Sequence, residues 1–377
     1  MKAMKTPYSL LIALVLLLFS QGRGLAQQLS DEAQIRETVT NYIEGRNGGD
    51  LERLRKAFHP GAALKFVDPG SKALGEWSLE EYLQRLTPGE KLNCRGEIID
   101  IRRFEDAAQA TVLLTYPNLR FHDYMSLLKI NGQWLIVDKT FARSPSAGRV
   151  LIAITSHADL GDTGRKAGLN LKEVAYVYKA LDEAGYAVDF VSPKGKFTHL
   201  YGQDLNDPVI AWFVENEEAW SRLQQTLLPV QVNPDDYQAI YFAGGHGTMW
   251  DFPENSALAN LAASIYEKEG IVAAICHGSV GLVNIRLSNG TPLVKGKKLT
   301  GFTNAEETEI GLAEEMPFLL QTALEEKGGE FTVAPNWSSH IELDQRLLTG
   351  QNAQSVEALA KELVAALQQP DGSASKR

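Results

Sequence analysis

The feature that most constrains this chain is a change in the spacing of its apolar residues near residue 148. Before that point, segments of helical spacing are followed by short alternating segments around turns. After it, short apolar runs alternate with amphipathic stretches of helical length. The first pattern is typical of helices on an antiparallel sheet, the second of a parallel sheet with helices on both faces. The 377 residues suffice for two cores, so we expect two domains (27–143 and 149–369) joined by a linker, 144–148.

The first 26 residues are expected to be a signal peptide. Lys2 and Lys5 precede an unbroken apolar run, Leu10 to Phe19, and the small residues of Gly24–Ala26 follow it. A run this short cannot span a bilayer, which favours a cleavable signal over an anchor. We therefore predict a secreted or periplasmic protein with no membrane anchor after cleavage.

Charge and cysteine content limit the partners and cross-links of the chain. Once the predicted signal is removed, 34 basic residues remain against 47 acidic ones. An acidic chain without a long basic run is unsuited to nucleic acid, so no nucleic-acid partner is expected. The only cysteines are Cys94 and Cys276. A disulfide between them would join the two domains, and its strict geometry disfavours it, so we expect packing rather than disulfides to hold the fold.

The first domain is predicted to be an α+β domain, with helices packed on a curved antiparallel sheet. Ser78 and Glu81 have capping-box spacing, and Asn131-Gly132 is a strong hairpin signal. The predicted helices cover residues 31–44, 50–58 and 78–86, and the predicted strands cover 96–104, 108–116, 124–130 and 133–138.

The opening helix and two motifs, FHPGAALKF (58–66) and LLKINGQWLIVDKTFA (127–142), resemble the nuclear transport factor 2-like superfamily in its SnoaL and lumazine-binding-like branch. The resemblance covers about residues 30–143 and implies a cone-shaped domain around a pocket. His59, Asp68, His122 and Asp138 are candidates to line that pocket. Surface or structural roles are the alternative, because no spacing ties these four residues together.

The second domain is predicted to be a doubly wound, mostly parallel α/β sheet, which binds ligands at the carboxyl ends of its strands. A polar tail, residues 370–377, is expected to be disordered. The predicted strands cover 149–155, 187–191, 239–243, 272–275 and 347–350, and the predicted helices cover 171–184, 256–269, 280 onward and 355–367.

Cys276 stands where an apolar strand meets a predicted helix, in the motif GIVAAICHGSVGLVN (270–284). The unpaired N–H groups at a helix N-terminus favour thiolate, and Gly278 permits the tight turn that presents a nucleophile. A buried inert cysteine is the alternative, but that reading predicts apolar neighbours rather than His277 and Gly278. We therefore expect an activated thiolate.

A glycine-rich loop follows the neighbouring predicted strand in YFAGGHGTMWDFP (241–253). The carboxyl ends of parallel strands share one edge of a sheet, so this loop should lie beside Cys276. The backbone N–H groups of Gly244 and Gly245, together with that of His277, are predicted to form an oxyanion hole. His246 and Gly278 are assigned to the same substrate-binding loops.

These two motifs, with KAGLNLKE (166–173) and LTGFTNAEE (299–307), resemble the ThiJ/PfpI superfamily in its heat-shock chaperone and glyoxalase III branch. The resemblance covers about residues 150–367 and implies a flavodoxin-like, class I glutamine amidotransferase-like fold. It also implies a catalytic Cys276 followed by a catalytic His277, an upstream Glu173, and an acid at Glu307, with Glu306 as the alternative.

The resemblance gives each of these residues a chemical role. A buried Glu173 would be protonated, and would stabilise a thiolate or shuttle a proton. His277 would act as a base oriented by Glu307, although a histidine that directly follows the cysteine can also point away from the sulfur. No metal or other cofactor is expected, since no ligand spacing links His199, His340 and Trp337. His157, which follows the first predicted strand, is a candidate for the edge of the site, and a loop histidine unrelated to function is the alternative.

The leading functional hypothesis is a glyoxalase III-like hydro-lyase, which the resemblance implies. Its substrate would be a small carbonyl compound, methylglyoxal or a related 2-oxoaldehyde, bound to Cys276 as a hemithioacetal. The alternatives are a cysteine amidase or peptidase, a non-catalytic holding chaperone or oxidative-stress protein, and a ligand function that belongs to the first domain. Both resemblances imply a homodimer.

Overall fold

The helices and strands divide between two structural units whose boundary in the chain falls between Pro145 and Ser146. The computed structural model describes residues 31–197 and 199–369. The predicted signal peptide and the predicted disordered tail lie outside the described residues. Among the helices of the described part, none is long and apolar enough to cross a membrane.

The first unit has helices packed on a sheet, as predicted, but the sheet has six strands where the sequence pattern predicted four. The strands run in the order β2-β1-β6-β5-β4-β3. All neighbouring pairs are antiparallel except β1 and β6, which are parallel. The elements are α1 (31–48), α2 (Leu51–Ala57), β1 (Phe58–Val67), β2 (Leu74–Ser78), α3 (Leu79–Leu83), β3 (Arg95–Phe104), β4 (Ala107–Thr115), β5 (Leu119–Ile130) and β6 (Gln133–Pro145).

Local signals set several of these boundaries. Ser78 and Glu81 form the predicted capping box at the start of α3. Asn131 and Gly132 have φ values of +50° and +81°, the left-handed pair that a tight two-residue hairpin needs. Strands β1 and β2 were not predicted, because β1 begins directly after α2 with no turn residue between them.

The predicted linker, 144–148, is shorter in the structure. Strand β6 continues to Pro145, which pairs with Leu119 of β5, and the next strand begins at Gly148. The long partner strand β5 explains the difference, since it offers backbone groups to residues that the sequence pattern assigns to a linker.

The second unit contains the predicted α/β sheet. Its helices are α4 (Leu171–Glu183), α5 (Pro208–Glu215), α6 (Glu217–Gln224), α7 (Thr248–Asp251), α8 (Ser256–Glu267), α9 (Asn304–Glu309), α10 (Leu320–Glu326) and α11 (Val356–Leu367). Its strands are β7 (Gly148–Ala153), β8 (Leu169–Asn170), β9 (Tyr186–Val191), β10 (Leu200–Tyr201), β11 (Ala239–Phe242), β12 (Ile271–Ile275), β13 (Lys298–Leu299), β14 (Glu330–Phe331), β15 (Ile341–Asp344) and β16 (Leu347–Gly350).

The strand order β15-β16-β12-β11-β7-β9 places the candidate site. All neighbouring pairs are parallel except β15 and β16. The chain passes from β7 to β9 on one side and then returns to β11 on the other. The order therefore reverses beside β7, and in sheets of this kind ligands bind at such a reversal, at the carboxyl ends of the strands. The loops that follow β11 and β12 carry the two predicted motifs to this edge.

Candidate active site

Cys276 occupies a strained turn at the end of β12. Its φ is +53°, in the left-handed region that non-glycine residues rarely adopt. A 3₁₀ helix, Cys276–Leu282, follows in place of the predicted α-helix. The backbone packs closely here, since a methyl group at Gly278 would lie 2.3 Å from the carbonyl oxygen of Phe242. The tight turn was predicted correctly, and the helix type was not.

His277 turns its imidazole towards the sulfur rather than away from it. Its Nδ1 lies 3.4 Å from Sγ of Cys276, and its Nε2 lies 2.7 Å from Oε2 of Glu307. The His277 side chain is fully buried. The three side chains are thus arranged in the order nucleophile, base and orienting carboxylate.

Charge states in this arrangement follow from burial and hydrogen bonding. Burial lowers the pKa of His277 to about 4. Burial alone would raise the pKa of Glu307, but hydrogen bonds with His246 and His277 outweigh it and lower this pKa to about 2. At neutral pH, Glu307 is therefore a carboxylate that accepts the Nε2 proton of a neutral imidazole. The lone pair of Nδ1 then faces the sulfur.

Glu306, the alternative to Glu307, serves the backbone instead. It completes a capping box with Thr303 at the start of α9. Its other oxygen accepts hydrogen bonds from the backbone N–H of Trp337 at 3.0 Å and the side chain of Asn352 at 2.7 Å. The two adjacent glutamates therefore have different roles, and of the two only Glu307 contacts His277.

Glu173 lies in the first turn of α4 and is fully buried. Asn170, the N-cap of that helix, donates a hydrogen bond from Nδ2 to Oε1 of Glu173 at 2.9 Å. Burial raises the pKa of Glu173 to about 8, against the opposing effects of Cys276 and the N–H of Gly244. The group is thus mainly a neutral acid at pH 7, as the resemblance implied.

Gly244 brings this acid against the nucleophile. A methyl group here would lie 2.3 Å from Oε2 of Glu173 and 3.0 Å from Cβ of Cys276. The N–H of Gly244 also favours the charged form of Glu173 and so lowers the pKa of that carboxyl. The oxyanion role of the N–H groups of Gly244, Gly245 and His277 stays a prediction.

The Cys276 thiol differs from the predicted thiolate. Burial raises its pKa well above the usual value, and the charge of Glu173 raises it further when that group is ionised. The backbone N–H of His277 acts in the opposite direction. Protonation of Glu173 removes its contribution, but the effect of burial remains. The structure therefore favours a resting thiol that transfers its proton as the substrate is attacked.

Three residues that sequence reasoning missed complete the surroundings. Asn170 orients Glu173, and the ring of Phe302 packs 4.2 Å from that of His277. The hydroxyl of Tyr201 lies 3.5 Å from Nδ1 of His246 and accepts a hydrogen bond from its backbone N–H at 3.3 Å. Phe302 stands inside a quoted motif, LTGFTNAEE, whereas Tyr201 lies in a two-residue strand that carries no sequence signal.

His246 packs against the base and contacts the same carboxylate. Its ring centroid lies 4.0 Å from that of His277, and its Nε2 lies 3.4 Å from Oε1 of Glu307. The ligand atoms of these three residues lie within 4.8 Å of one another, the one such group in the described part of the chain. A divalent metal bound here would have to displace the proton on Nε2 of His277, so this group could hold either a metal or the catalytic hydrogen bonds.

The remaining candidates of the second domain lie outside this arrangement. His157 stacks on Trp250 with ring centroids 5.2 Å apart. His340 bonds to Thr332 at 2.9 Å. The backbone carbonyl of His199 accepts a hydrogen bond from Leu169, and Trp337 packs its ring 5.8 Å from that of Phe302.

The first unit has a cavity of about 1030 Å³, and Asp68 is the predicted candidate that lines it. His59 bonds within its own turn, to the N–H of Gly61. Asp138 pairs with Lys65. His122 is not among the lining residues. The other lining residues were not anticipated.

Two family models match the chain. The one described as the DJ-1/PfpI family matches residues 166–366, and the one described as putative lumazine-binding matches residues 30–142. Both agree with the resemblances inferred from the motifs.

Among curated proteins, the glutathione-independent glyoxalase HSP31 of Saccharomyces cerevisiae is 34% identical over 58% of this chain and 98% of its own length. Among solved structures, the Rapid Encystment Protein 24 KDa of Francisella tularensis is 34% identical, with a TM-score of 0.57, and matches 59% of this chain and 100% of its own. Glyoxalase III of Candida albicans is 28% identical, with a TM-score of 0.55, and matches 58% of this chain and 97% of its own.

Proposed function

The chain belongs to the DJ-1/PfpI family, and from that membership we propose that it is a glutathione-independent glyoxalase. The reaction is the conversion of methylglyoxal, or a related 2-oxoaldehyde, to a 2-hydroxy acid with uptake of water. The observation that carries the proposal is the contact of one sulfur with a neutral base, Nδ1 of His277, at 3.4 Å. Relatives named as glyoxalases support it.

The first step forms a hemithioacetal. Sγ of Cys276 attacks the aldehyde carbon while Nδ1 of His277 takes the thiol proton, and the imidazolium gives that proton to the aldehyde oxygen. Because burial raises the pKa of the thiol, proton transfer is coupled to formation of the C–S bond. The Glu307 carboxylate stabilises the transient imidazolium.

The second step moves hydrogen between adjacent carbons. His277 removes the proton from the former aldehyde carbon as neutral Glu173 donates its proton to the ketone oxygen, which gives an enediol. The imidazolium then protonates the neighbouring carbon, and Glu173 recovers a proton from the hydroxyl on the carbon bonded to sulfur. The product is a thioester of the 2-hydroxy acid on Cys276. Both groups return to their starting protonation states.

Water then cleaves the thioester. The acid is released and the Cys276 thiol is restored, so one aldehyde and one water give one hydroxy acid with no oxidant or reductant. The N–H groups of Gly245 and His277 are proposed to stabilise the oxyanion of this step. No thiol cosubstrate is needed, because the protein supplies the sulfur.

The test is lactate formation from methylglyoxal by the purified full chain without glutathione. Cys276→Ala should abolish it. Cys94→Ala is the matched control, because Cys94 lies in the first unit, and it should leave the rate unchanged. Lactate formation that survives Cys276→Ala would contradict the proposal, as would a wild-type protein that cleaves amide or peptide substrates but not methylglyoxal.

Export and dimerisation are separate parts of the proposal. The lysines and apolar run within residues 1–26 support export, and the two family resemblances support a homodimer. N-terminal sequencing of the protein from its native cell should show cleavage after Ala26. Light scattering of the purified protein should give twice the mass of one chain, and a single-chain mass would contradict the dimer.

A further inference from the structure

The cavity of the first unit has an aromatic wall. Phe66 lies against Trp77 and Phe141, with ring centroids 4.5 and 5.0 Å apart, and Phe121 lies 5.9 Å from Phe141. All four rings line the same cavity of about 1030 Å³. Rings that line a cavity offer apolar surface to a planar guest.

The cavity also has a buried polar cluster whose charges are balanced. Nζ of Lys139 lies 3.0 Å from Oδ1 of Asp123 and donates a hydrogen bond to the hydroxyl of Tyr42 at 3.0 Å. Tyr42 in turn donates to Asp123. The cation and the carboxylate of this cluster therefore neutralise each other, and neither needs a charged ligand as a partner.

Arg46 is different, because the side chains that accept its hydrogen bonds are neutral. Its Nε donates to the hydroxyl of Tyr116 at 2.8 Å and its Nη1 to that of Tyr82 at 3.3 Å. The guanidinium lies 5.6 Å from the ring centroids of Tyr116 and Phe121. Within residues 31–197 and 199–369, its other three N–H groups donate no hydrogen bond and no carboxylate pairs with it. A half-buried cation with open donors attracts an anion.

The residues that line the cavity have a net positive charge, the same sign as that of Arg46. Five basic and three acidic residues line the cavity, although the chain as a whole has a net charge of −10. The lining therefore has two more basic than acidic side chains, and low-dielectric walls strengthen the attraction of this local charge for an anion.

We propose that the first unit binds a planar aromatic carboxylate, with its ring among Phe66, Trp77, Phe121 and Phe141 and its carboxylate on Arg46. The planar fork of a guanidinium matches a carboxylate with two parallel hydrogen bonds. The aromatic wall then selects flat conjugated rings over aliphatic acids. This site is independent of Cys276 and of the glyoxalase proposal.

The test uses two probes of the same ring and different charge, 2-naphthoate and neutral 2-naphthylmethanol, titrated calorimetrically into the full chain. The wild-type protein should bind the naphthoate at least about tenfold more tightly. Arg46→Met should bring the two affinities within about twofold. Arg36→Met is the matched control, since Arg36 lies exposed on the same helix, and it should keep the wild-type preference.

A second variant separates the wall from the anion site. Phe141→Leu should weaken both probes by a similar factor and leave their ratio unchanged. Equal affinities of the wild-type protein for the two probes, no binding of the naphthoate, or an unchanged preference in Arg46→Met would each overturn the proposal. If Arg46→Met does not fold, as thermal unfolding would reveal, the wild-type ratio and Phe141→Leu decide the matter.

Discussion

Glu307 holds Nε2 of His277 at 2.7 Å, and this contact decides which nitrogen faces the nucleophile. With the carboxylate on one side of the ring, the proton stays on Nε2 and the lone pair of Nδ1 is directed at Cys276. The chemistry of the sulfur therefore depends on a residue that does not touch it. The predictions below begin from that dependence.

Glu307→Gln should lower kcat by about 10²–10⁴-fold with little change in KM, since an amide neither fixes this tautomer nor stabilises the imidazolium. Steady-state kinetics with methylglyoxal provide the measurement. The expected loss is in the chemical step, so a change confined to KM would show that Glu307 acts in substrate binding instead.

Glu306→Gln should lower the stability of the protein and leave kcat nearly unchanged. This side chain caps α9 and accepts hydrogen bonds from Trp337 and Asn352, so losing its charge should cost about 1–3 kcal/mol of stability. Thermal unfolding should show a lower Tm, while kcat of the folded protein stays near wild type. A stable but inactive variant would mean that Glu306 belongs to the catalytic set.

The pH profile of kcat/KM should have two limbs. His277 must be neutral, so activity falls as the pH drops towards its pKa of about 4. Glu173 must be protonated, so activity also falls as the pH rises through about 8. Between these values both groups are in their working forms. A profile that keeps rising above pH 9 would count against neutral Glu173 as the acid.

Glu173→Gln should abolish turnover, because an amide cannot give and recover a proton. It should also shift thiol reactivity. Above pH 8 the charge of Glu173 raises the pKa of Cys276, and the amide carries no such charge. Alkylation of Cys276 by iodoacetamide should therefore reach its half-maximal rate at a lower pH in the variant. The same alkylation profile in both proteins would show that the two groups are not coupled.

Gly244→Ala should cost most of the activity at a modest loss of stability. The added methyl group would meet Oε2 of Glu173 at 2.3 Å and displace it from the sulfur. Gly48→Ala is the matched control, because nothing lies within 4 Å of its added carbon. Kinetics and Tm measured on both variants check the prediction, which fails if Gly244→Ala keeps its full kcat.

Sequence patterns predicted the α/β sheet and the position of Cys276 and Gly244 at the carboxyl ends of its strands, because strand-to-helix turns leave strong local signals. They did not predict β1 and β2, since the chain passes from α2 into β1 without a turn residue. They also missed Tyr201, which reaches the site from a two-residue strand. Sequence patterns could not predict the charge state of Cys276, because it depends on how deeply the whole fold buries the thiol.

Cys276 and His277 are adjacent in the chain, and this affects how the protein responds to heat. Because one peptide bond joins the nucleophile to the base, a local unfolding at the end of β12 moves both residues together. Glu307 lies on α9, a helix of only six residues, and such short helices open at a lower free energy than core strands. We expect warming to release the carboxylate from the pair first, so that turnover fades at temperatures where the central sheet is still intact.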